Sequence, residues 1–304
     1  MPMLTREYST NESTFVKIIG RLKTVISSTA EALRYMVKIK ITLAALIFIL
    51  TIVAMAVLAD VISPYDPNFQ DLSRRREGPS LEHPFGLDEF GRDILSRVIH
   101  GARVSLIVGT GVISISLLTG ILLGMVGGYF GGKIDTAIVL LSDIFLAFPG
   151  LVFAIGLMAV LGQSIVNVIL SLVIINWPGY ARVVRGQVLS LREMTFVEAT
   201  KLMGASSMFI LFNHILPNTT SPLIVLATIG MGWAILAEAG LSFLGLGLKP
   251  PTPSWGSMIS SGRTFLLDAP HIATIPGIFL TLTILSFNII GDSLRDALDP
   301  KMKL

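Results

Sequence analysis

Val104–Gly132 reads VSLIVGTGVISISLLTGILLGMVGGYFGG and contains no aspartate, glutamate, lysine or arginine. About 20 helical residues cross the roughly 30 Å of hydrocarbon in a bilayer, so this segment is long enough to span a membrane. The whole chain has the same character: 52% of its 304 residues are hydrophobic, 14% are charged and the mean hydropathy is +0.76. In soluble domains about a quarter of all residues are charged, so the composition excludes a soluble protein and predicts a membrane protein.

Outward from this run, four more apolar segments supply the remaining spans. Ile41–Ala59, Pro217–Ala237 and Ala269–Gly291 each have the length of one membrane helix. Ile144–Ala181 is uncharged and too long for one helix, and Gly162-Gln163-Ser164 near its middle predicts a tight turn between two spans. The sequence therefore predicts an all-α polytopic membrane protein with six transmembrane helices and both termini on the same side.

The basic residues predict which side the termini occupy. If the N-terminus is cytoplasmic, 15 of the 23 lysines and arginines lie on the cytoplasmic side, and such an excess marks that side. Both termini are therefore expected in the cytoplasm. The leader is apolar on one face between Phe15 and Leu33, which suits a helix lying in the membrane interface, with packing on protein as the alternative. The predicted organisation is an N-terminal helix at 1–40, a first span at 41–62, an outer loop at 63–100, a membrane core at 101–293 that includes a cytoplasmic loop at 182–216, and a cytoplasmic tail at 294–304.

The sequence predicts no catalytic, metal or nucleotide site in this chain. It has no cysteine, and its four histidines are far apart without metal-ligand spacing. Gly127–Ile134 satisfies most of the phosphate-loop pattern, but Ile134 has no hydroxyl for magnesium and a membrane span precedes the segment instead of a strand. We therefore expect no cofactor on this chain. If ATP and magnesium are used, a partner must bind them.

The cytoplasmic loop carries the signals of two short helices. Ser190–Glu193 has the pattern of a capping box and predicts a helix over Leu191–Met203, which Gly204 would end in a left-handed conformation. Ser206 or Ser207 would cap a second helix over Met208–Ile215, and Pro217 suits the first turn of the fifth span. By itself, this pattern predicts only a rigid helical hairpin exposed on the cytoplasmic side.

The residues of that hairpin resemble a known motif. Glu198-Ala199-Thr200, then Gly204, then Ile215-Leu216-Pro217 are similar to the E-A-A…G…I-L-P loop of membrane subunits in binding-protein-dependent ABC importers. In that family the loop forms the coupling helix that sits in a cleft of the cytoplasmic ATPase. Thr200 replaces the common alanine, a small-for-small change that should not disturb docking.

Three further blocks resemble the C-type permease of dipeptide and oligopeptide ABC importers. They are His83–Arg97, where Leu87 replaces the usual threonine, the pair Leu241–Gly247 and Pro250–Gly256, and Phe287–Pro300. The resemblance implies the type I ABC importer permease fold in the cytoplasmic membrane and short peptides as cargo, with oligosaccharides, nickel complexes and glutathione as alternatives. It also implies a heterodimer with a homologous second permease, two cytoplasmic ATPase subunits and an extracytoplasmic binding protein. Nothing suggests a nucleic-acid partner.

Ionisable residues outside the hairpin divide into a loop cluster and two intramembrane positions. Glu238 and Asp143 lie in apolar stretches, where ionisable groups are costly unless they face water or a partner. Both are candidates for the translocation path, with a buried structural pair as the rival for Glu238. In the outer loop we expect Gly86 and Gly91 to supply turns. Asp88, Arg92 and Asp93 are expected to form a local cluster of ion pairs and helix caps. This structural role is favoured over direct contact with a binding protein.

Five more expectations concern packing and alternative functions. Gly120, Gly124 and Gly128 leave one helix face bare for close approach of another helix. Trp255 is expected to anchor the chain at the interface. Salt bridges to the cytoplasmic loop are expected from Asp292, Arg295, Asp296 and Asp299. A stand-alone secondary transporter is disfavoured by the shortage of intramembrane charges, and an intramembrane hydrolase by the cytoplasmic place of Gly204–Ser207 and by the lack of an acid near His214.

Overall fold

The computed structural model describes residues 36–298. The leader helix predicted within 1–40 therefore lies almost wholly outside the described residues, as does Asp299. The described part is helical, and its only β-type pairing is an isolated bridge between Leu87 and Asp93. Its α-helices are α1 Lys40–Val57, α2 Ala59–Ile62, α3 Ile94–Phe130, α4 Gly132–Leu146, α5 Gly150–Leu161, α6 Ile165–Arg192, α7 Thr195–Leu202, α8 Ser207–Ile210, α9 Leu216–Phe243, α10 Trp255–Gly262 and α11 His271–Leu298.

Five helices of the described chain are long and apolar enough to cross a membrane: α1, α3, α6, the continuous segment from α8 to α9, and α11. The sixth span is a bent pair, because α4 and α5 pass the same test only together and meet at 85°. If this bent pair is counted as one span, the described chain has the six membrane spans that the sequence predicts. The predicted start of the third span at Ile144 is wrong, because its first helix begins at Gly132 and the span bends between Leu146 and Gly150.

Pro149 explains the bend in the third span. It takes an extended conformation and precedes the first residue of α5, and a proline disfavours helical geometry in the residue before it. The helix that starts at Gly132 therefore ends at Leu146, and a new helix begins at Gly150 in another direction. The uncharged run from Ile144 thus includes the end of one helix and the whole of the next.

The glycines of the second span bring α3 against α6, as predicted. A Cβ on Gly124 would lie 2.6 Å from the carbonyl oxygen of Ala181, and one on Gly128 would lie 2.9 Å from Cβ of Val188. A Cβ on Gly120 would collide with Cβ of Tyr180. Such distances are far inside van der Waals contact, so only glycine permits this approach of the two helices.

The two ends of α3 carry different structures. With 37 residues, α3 is about 55 Å long. Residues 63–93 and 244–270 gather around its first turn, and we call them the loop lobe. The segment from Thr195 to Ile215 follows α6 at the opposite end, where Gly128 contacts α6, and we call it the hairpin.

Candidate functional site

The hairpin begins later than its sequence suggested. α6 continues to Arg192, and the hydroxyl of Ser190 donates a hydrogen bond to the carbonyl oxygen of Gly186 within that helix. The predicted capping box at Ser190 and the helix from Leu191 are therefore wrong. Val188 and Leu191 are buried, so tertiary packing extends α6 through the serine that would otherwise have capped a new helix.

The turn and the second arm of the hairpin match the prediction. Gly204 has a φ of 81°, the left-handed conformation that ends a helix at glycine. Ser206 caps the next helix, because its Oγ accepts a hydrogen bond of 3.3 Å from the amide of Phe209. One π-helical turn over Leu211–Ile215 then leads directly into α9, which has Pro217 in its first turn.

The hairpin has a buried side and an exposed tip. Val197, Ile210, Leu211 and Ile215 are buried and pack in one core cluster with Val184 and Val188 of α6. Thr200 is also buried. The hydroxyl of Thr200 donates to the carbonyl oxygen of Phe196 at 2.7 Å, so the residue that replaces the family's alanine is turned inward. Glu198 and Ala199 are exposed.

Large apolar side chains cover the exposed tip. Leu202 is 84% exposed and Met203 is 80% exposed, and Met208 and Phe209 are also exposed. Exposed apolar residues are common singly, but a contiguous group indicates a site for a partner. The hairpin therefore combines a rigid base with a surface that is suited to burial by another protein.

His214 links the two arms of the hairpin. Its ring lies 6.1 Å from that of Phe196 and 5.7 Å from that of Phe209, measured between centroids. Among the described residues, no carboxylate lies within salt-bridge distance of His214. A histidine held between two aromatic rings, without an acid to orient it, is not arranged as a general base.

The loop lobe contains the ion pair and the helix cap expected from its sequence. Asp93 caps the N-terminus of α3, because its Oδ2 accepts hydrogen bonds of 2.7 Å from the amide and from the hydroxyl of Ser96. Oδ1 of Asp93 lies 2.9 Å from Nδ1 of His83. Asp88 accepts from Nε of Arg92 at 2.6 Å. Gly86 and Gly91 have φ values of 78° and 73°, so they supply the turns between these residues.

Arg97 lies at the centre of the loop lobe and was not singled out in the sequence. Its side chain is 5% exposed, and its Nε lies 3.4 Å from Oδ2 of Asp88. Its Nη1 donates to the carbonyl oxygen of Pro67 at 2.9 Å and reaches that of Pro251 at 3.5 Å. One guanidinium thus joins both parts of the lobe to α3.

Trp255 was predicted to lie at the membrane interface, and that is wrong, because the side chain is buried inside the protein. It is fully buried, and its Nε1 donates to the carbonyl oxygen of Val98 at 3.0 Å. A Cβ on Gly101 would lie 2.8 Å from the indole, so the ring packs onto bare backbone of α3. Ser254 caps α10 in a capping box with Ser257, which turns the chain inward at this point.

The predicted salt bridges at the end of the sixth span are also not found. Within residues 36–298, Asp292, Arg295 and Asp296 form no ion pair with the cytoplasmic loop. In the described chain, the ion pairs near that end join α4 to α6 instead. Arg185 binds both carboxylate oxygens of Asp135, at 2.5 and 2.6 Å.

Glu238 lies inside the helix bundle. It has no exposed surface, and its Oε1 accepts a hydrogen bond of 2.7 Å from the hydroxyl of Ser242. Its Oε2 and the nearby buried hydroxyl of Ser105 have no hydrogen-bond partner within the described chain. Among residues 36–298, no lysine, arginine or histidine forms an ion pair with Glu238, so the alternative prediction of a buried structural pair is not supported. A role of Glu238 in the translocation path stays a prediction.

Asp143 has the opposite environment. Its Oδ1 lies 2.7 Å from Nη2 of Arg182, and the two side chains are 54% and 59% exposed. The pairing was not predicted, but the sequence contains a signal for it: the two residues flank the uncharged run Ile144–Ala181 on either side. Since two adjacent spans fold back on each other, the ends of such a run can meet.

Comparison with known proteins places this arrangement in a family. Residues 120–304 match the model of the binding-protein-dependent transport system inner membrane component. This chain belongs to that family. Residues 27–79 also match the model of the N-terminal transmembrane domain of oligopeptide transport permease C. The chain is therefore a multi-pass inner membrane protein of a transport system.

The family's curated members include close relatives. The dipeptide transport system permease protein DppC of Alkalihalophilus pseudofirmus is 45% identical over 92% of this chain and 92% of its own length. The glutathione transport system permease protein GsiD of Pectobacterium atrosepticum is 41% identical over 93% of this chain and 94% of its own length. Members of the family thus include permeases named for two different peptide cargoes.

A solved structure confirms the predicted ABC importer permease fold. A chain of the MetNI methionine ABC transporter, in inward-facing conformations, matches with a TM-score of 0.50. The match covers 68% of this chain and 96% of that chain, at 19% sequence identity. At this identity the likeness supports the fold alone.

Proposed function

We propose that this permease forms, with a homologous second permease, the translocation path of an ABC importer for short peptides. An extracytoplasmic binding protein delivers the cargo, and two cytoplasmic ATPase subunits bind ATP with magnesium and drive transport. Support comes from the family and from relatives named for dipeptide and glutathione transport. The excess of basic residues supports cytoplasmic termini, with the hairpin on the same side as the ATPases.

The observation that carries the proposal is the apolar tip on a rigid base. Leu202 and Met203 are among the most exposed large apolar residues of the described chain, while Val197 and Ile210 on the same hairpin are buried. A cleft in a partner would remove the tip from water, which is favourable by about 25 cal/mol per Å² of apolar surface. Because α8 continues into α9 without a break, motion of the partner would be transmitted directly to the fifth span.

Co-purification of the coexpressed importer tests this docking. Met203→Asp places a charge in the proposed contact, so we expect the permease to fold but to lose its ATPase subunits. Leu81→Asp is the matched control, because Leu81 is fully exposed in the loop lobe at the other end of α3. Retention of the ATPases by Met203→Asp, or equal loss in both variants, would contradict the proposal.

Glutathione is the alternative cargo that a specific observation favours, because a relative at 41% identity is named for its transport. Uptake into vesicles that contain the whole importer distinguishes the two. We expect excess dipeptide to compete with labelled dialanine more strongly than excess glutathione does. The reverse order would assign glutathione as cargo, and uptake by the permease alone would indicate a secondary transporter.

A further inference from the structure

Arg182 and Asp143 form an exposed pair of opposite charges on α6 and α4, two helices of the membrane spans. The sequence placed Arg182 at the start of the cytoplasmic loop, but α6 continues ten residues beyond it to Arg192. Gly120 and Gly124, in the uncharged run of the second span, contact Ala181, the residue next to Arg182. Asp143 lies eleven residues beyond Gly132, the first residue of α4. More than half of each side chain is nevertheless exposed in this chain.

Charged side chains at this depth are costly in contact with hydrocarbon and normally face a bundle interior or water. The exposed face of α1 shows the contrast, because it presents Ile47, Leu50 and Val57, which suit lipid. The face of Arg182 and Asp143 therefore points towards water or protein. In the importer proposed above, the path lies between this chain and a second subunit, and we assign this face to that path.

The surroundings of the pair form a small polar site. A cavity of about 200 Å³ between α4 and α6 is lined by Ser142, Asp143, Arg182 and Arg185 together with three aliphatic residues. It has room for several waters, each of which occupies about 30 Å³ in the liquid. Arg185 is engaged by both oxygens of Asp135, which leaves Arg182 and Asp143 as the charges available to a ligand.

Both members of the pair retain capacity for further hydrogen bonds. Among the described contacts, Arg182 uses only Nη2 and Asp143 uses only Oδ1. A guanidinium has five N–H donors arranged to bind a carboxylate, and a carboxylate accepts about four hydrogen bonds. A ligand with one carboxylate and one ammonium group can therefore add to the pair without leaving any charge uncompensated.

We propose that Arg182 and Asp143 form a transient binding site for the charged ends of a zwitterionic short peptide on its way through the permease. Arg182 binds the terminal carboxylate, and Asp143 binds the terminal ammonium group. This inference rests on the proposed function, since it takes peptides as the cargo. It assigns the permease a part in selecting cargo with free termini.

Uptake of labelled dialanine by the complete importer in vesicles tests the assignment. Arg182→Gln and Asp143→Asn should each lower uptake at limiting peptide by about tenfold, the effect of losing one charge-assisted interaction. The double variant Arg182→Gln/Asp143→Asn decides between cargo binding and structure. A structural pair leaves one unpaired charge in each single variant, so the double variant would regain uptake. A cargo site stays defective when both charges are absent.

Water access supplies an independent readout. Because the natural chain has no cysteine, Ala147→Cys, near Asp143 and exposed, gives a single thiol beside the site. We expect it to react with a membrane-impermeant maleimide and to be protected by dialanine, whereas Leu50→Cys on the lipid-facing side of α1 should not react.

Unchanged uptake in the single variants, recovery in the double variant, or an unreactive Ala147→Cys would overturn the assignment while the wild type still imports dialanine. If the wild-type importer takes up no peptide, the proposed function fails and the inference fails with it.

Discussion

The loop lobe and the hairpin occupy opposite ends of α3 and are built in opposite ways. In the loop lobe, the buried charges of Asp88, Arg92 and Arg97 hold loop segments against one another. The hairpin has its polar interactions within its own helices and exposes Leu202 and Met203. The polar contacts of the lobe are thus made within the chain, whereas the hairpin leaves large apolar side chains exposed.

The difference separates two roles in one bundle: contacts in the loop lobe stabilise the fold, and the exposed hairpin tip is available for assembly with a partner. Breaking a buried ion pair costs much stability, because it leaves a charge buried without compensation. An exposed apolar tip adds little to the stability of the isolated chain, so its substitution should affect assembly instead. Four substitutions sharpen this comparison.

The largest effect on stability is expected in the loop lobe. Asp88→Asn removes the carboxylate that Arg92 and Arg97 share, and we expect a loss of about 3–5 kcal/mol. Thermal unfolding of the purified chain in detergent measures it. Glu82→Gln is the control, because Glu82 pairs with Arg74 at the exposed surface, where ion pairs contribute about 0–1 kcal/mol. Equal effects of the two variants would refute the contrast between buried and surface pairs.

The next effect is expected between the two ends, where α3 meets α6. Gly124→Ala places a methyl group 2.6 Å from the carbonyl oxygen of Ala181, and overpacking of this kind costs about 1–3 kcal/mol. Gly156→Ala is the same change in a helix with open space around it, so it should be neutral or stabilising. Only Gly124→Ala should therefore lower the unfolding temperature, and an unchanged unfolding temperature in that variant would show that the contact is adaptable.

A smaller effect is expected at the glycine turn of the hairpin. Gly204→Ala meets no neighbouring atom but must adopt a φ of 81°, at a cost of about 1–2 kcal/mol. Gly245→Ala in the loop lobe has the same open space and a φ of 78°, so it matches the strain. We expect similar unfolding temperatures for both, with loss of ATPase co-purification for Gly204→Ala alone. Loss in both would show that ATPase binding follows general stability.

The smallest effect on stability is expected at Glu238. Glutamine retains an acceptor for the hydroxyl of Ser242 and adds a donor near Ser105, and the described chain places no cation beside the side chain. We expect Glu238→Gln to change the free energy of unfolding by less than about 1 kcal/mol and to leave assembly intact, but to lower uptake by the assembled importer. Unchanged uptake would contradict the path hypothesis, and loss of assembly would favour a structural role of the carboxylate.

Local sequence signals predicted the parts of the fold that depend on local chemistry. The uncharged runs gave the spans, the glycines at 120, 124 and 128 gave the α3–α6 contact, and Gly204 with Ser206 gave the turn of the hairpin. Each of these depends on what a side chain, or its absence, does within a few residues. The identity of the solute is not among them.

The errors come from tertiary packing that a single segment does not encode. Ser190 has a good capping pattern, but burial of Val188 and Leu191 keeps it inside α6. Trp255 resembled an interfacial anchor, but its place depends on Gly101 and on the carbonyl of Val98, more than 150 residues away. The partners of such residues are set by how distant helices meet.

The central claim is that the hairpin is the surface by which ATPase subunits drive this permease. A single cysteine at Met203→Cys, in a chain that has none of its own, tests it by cross-linking from thiol to amine in the assembled importer. We expect a product with the ATPase from Met203→Cys and none from Leu81→Cys in the loop lobe. An importer that remains active but gives no ATPase product from Met203→Cys, or gives the same product from both positions, would contradict the claim.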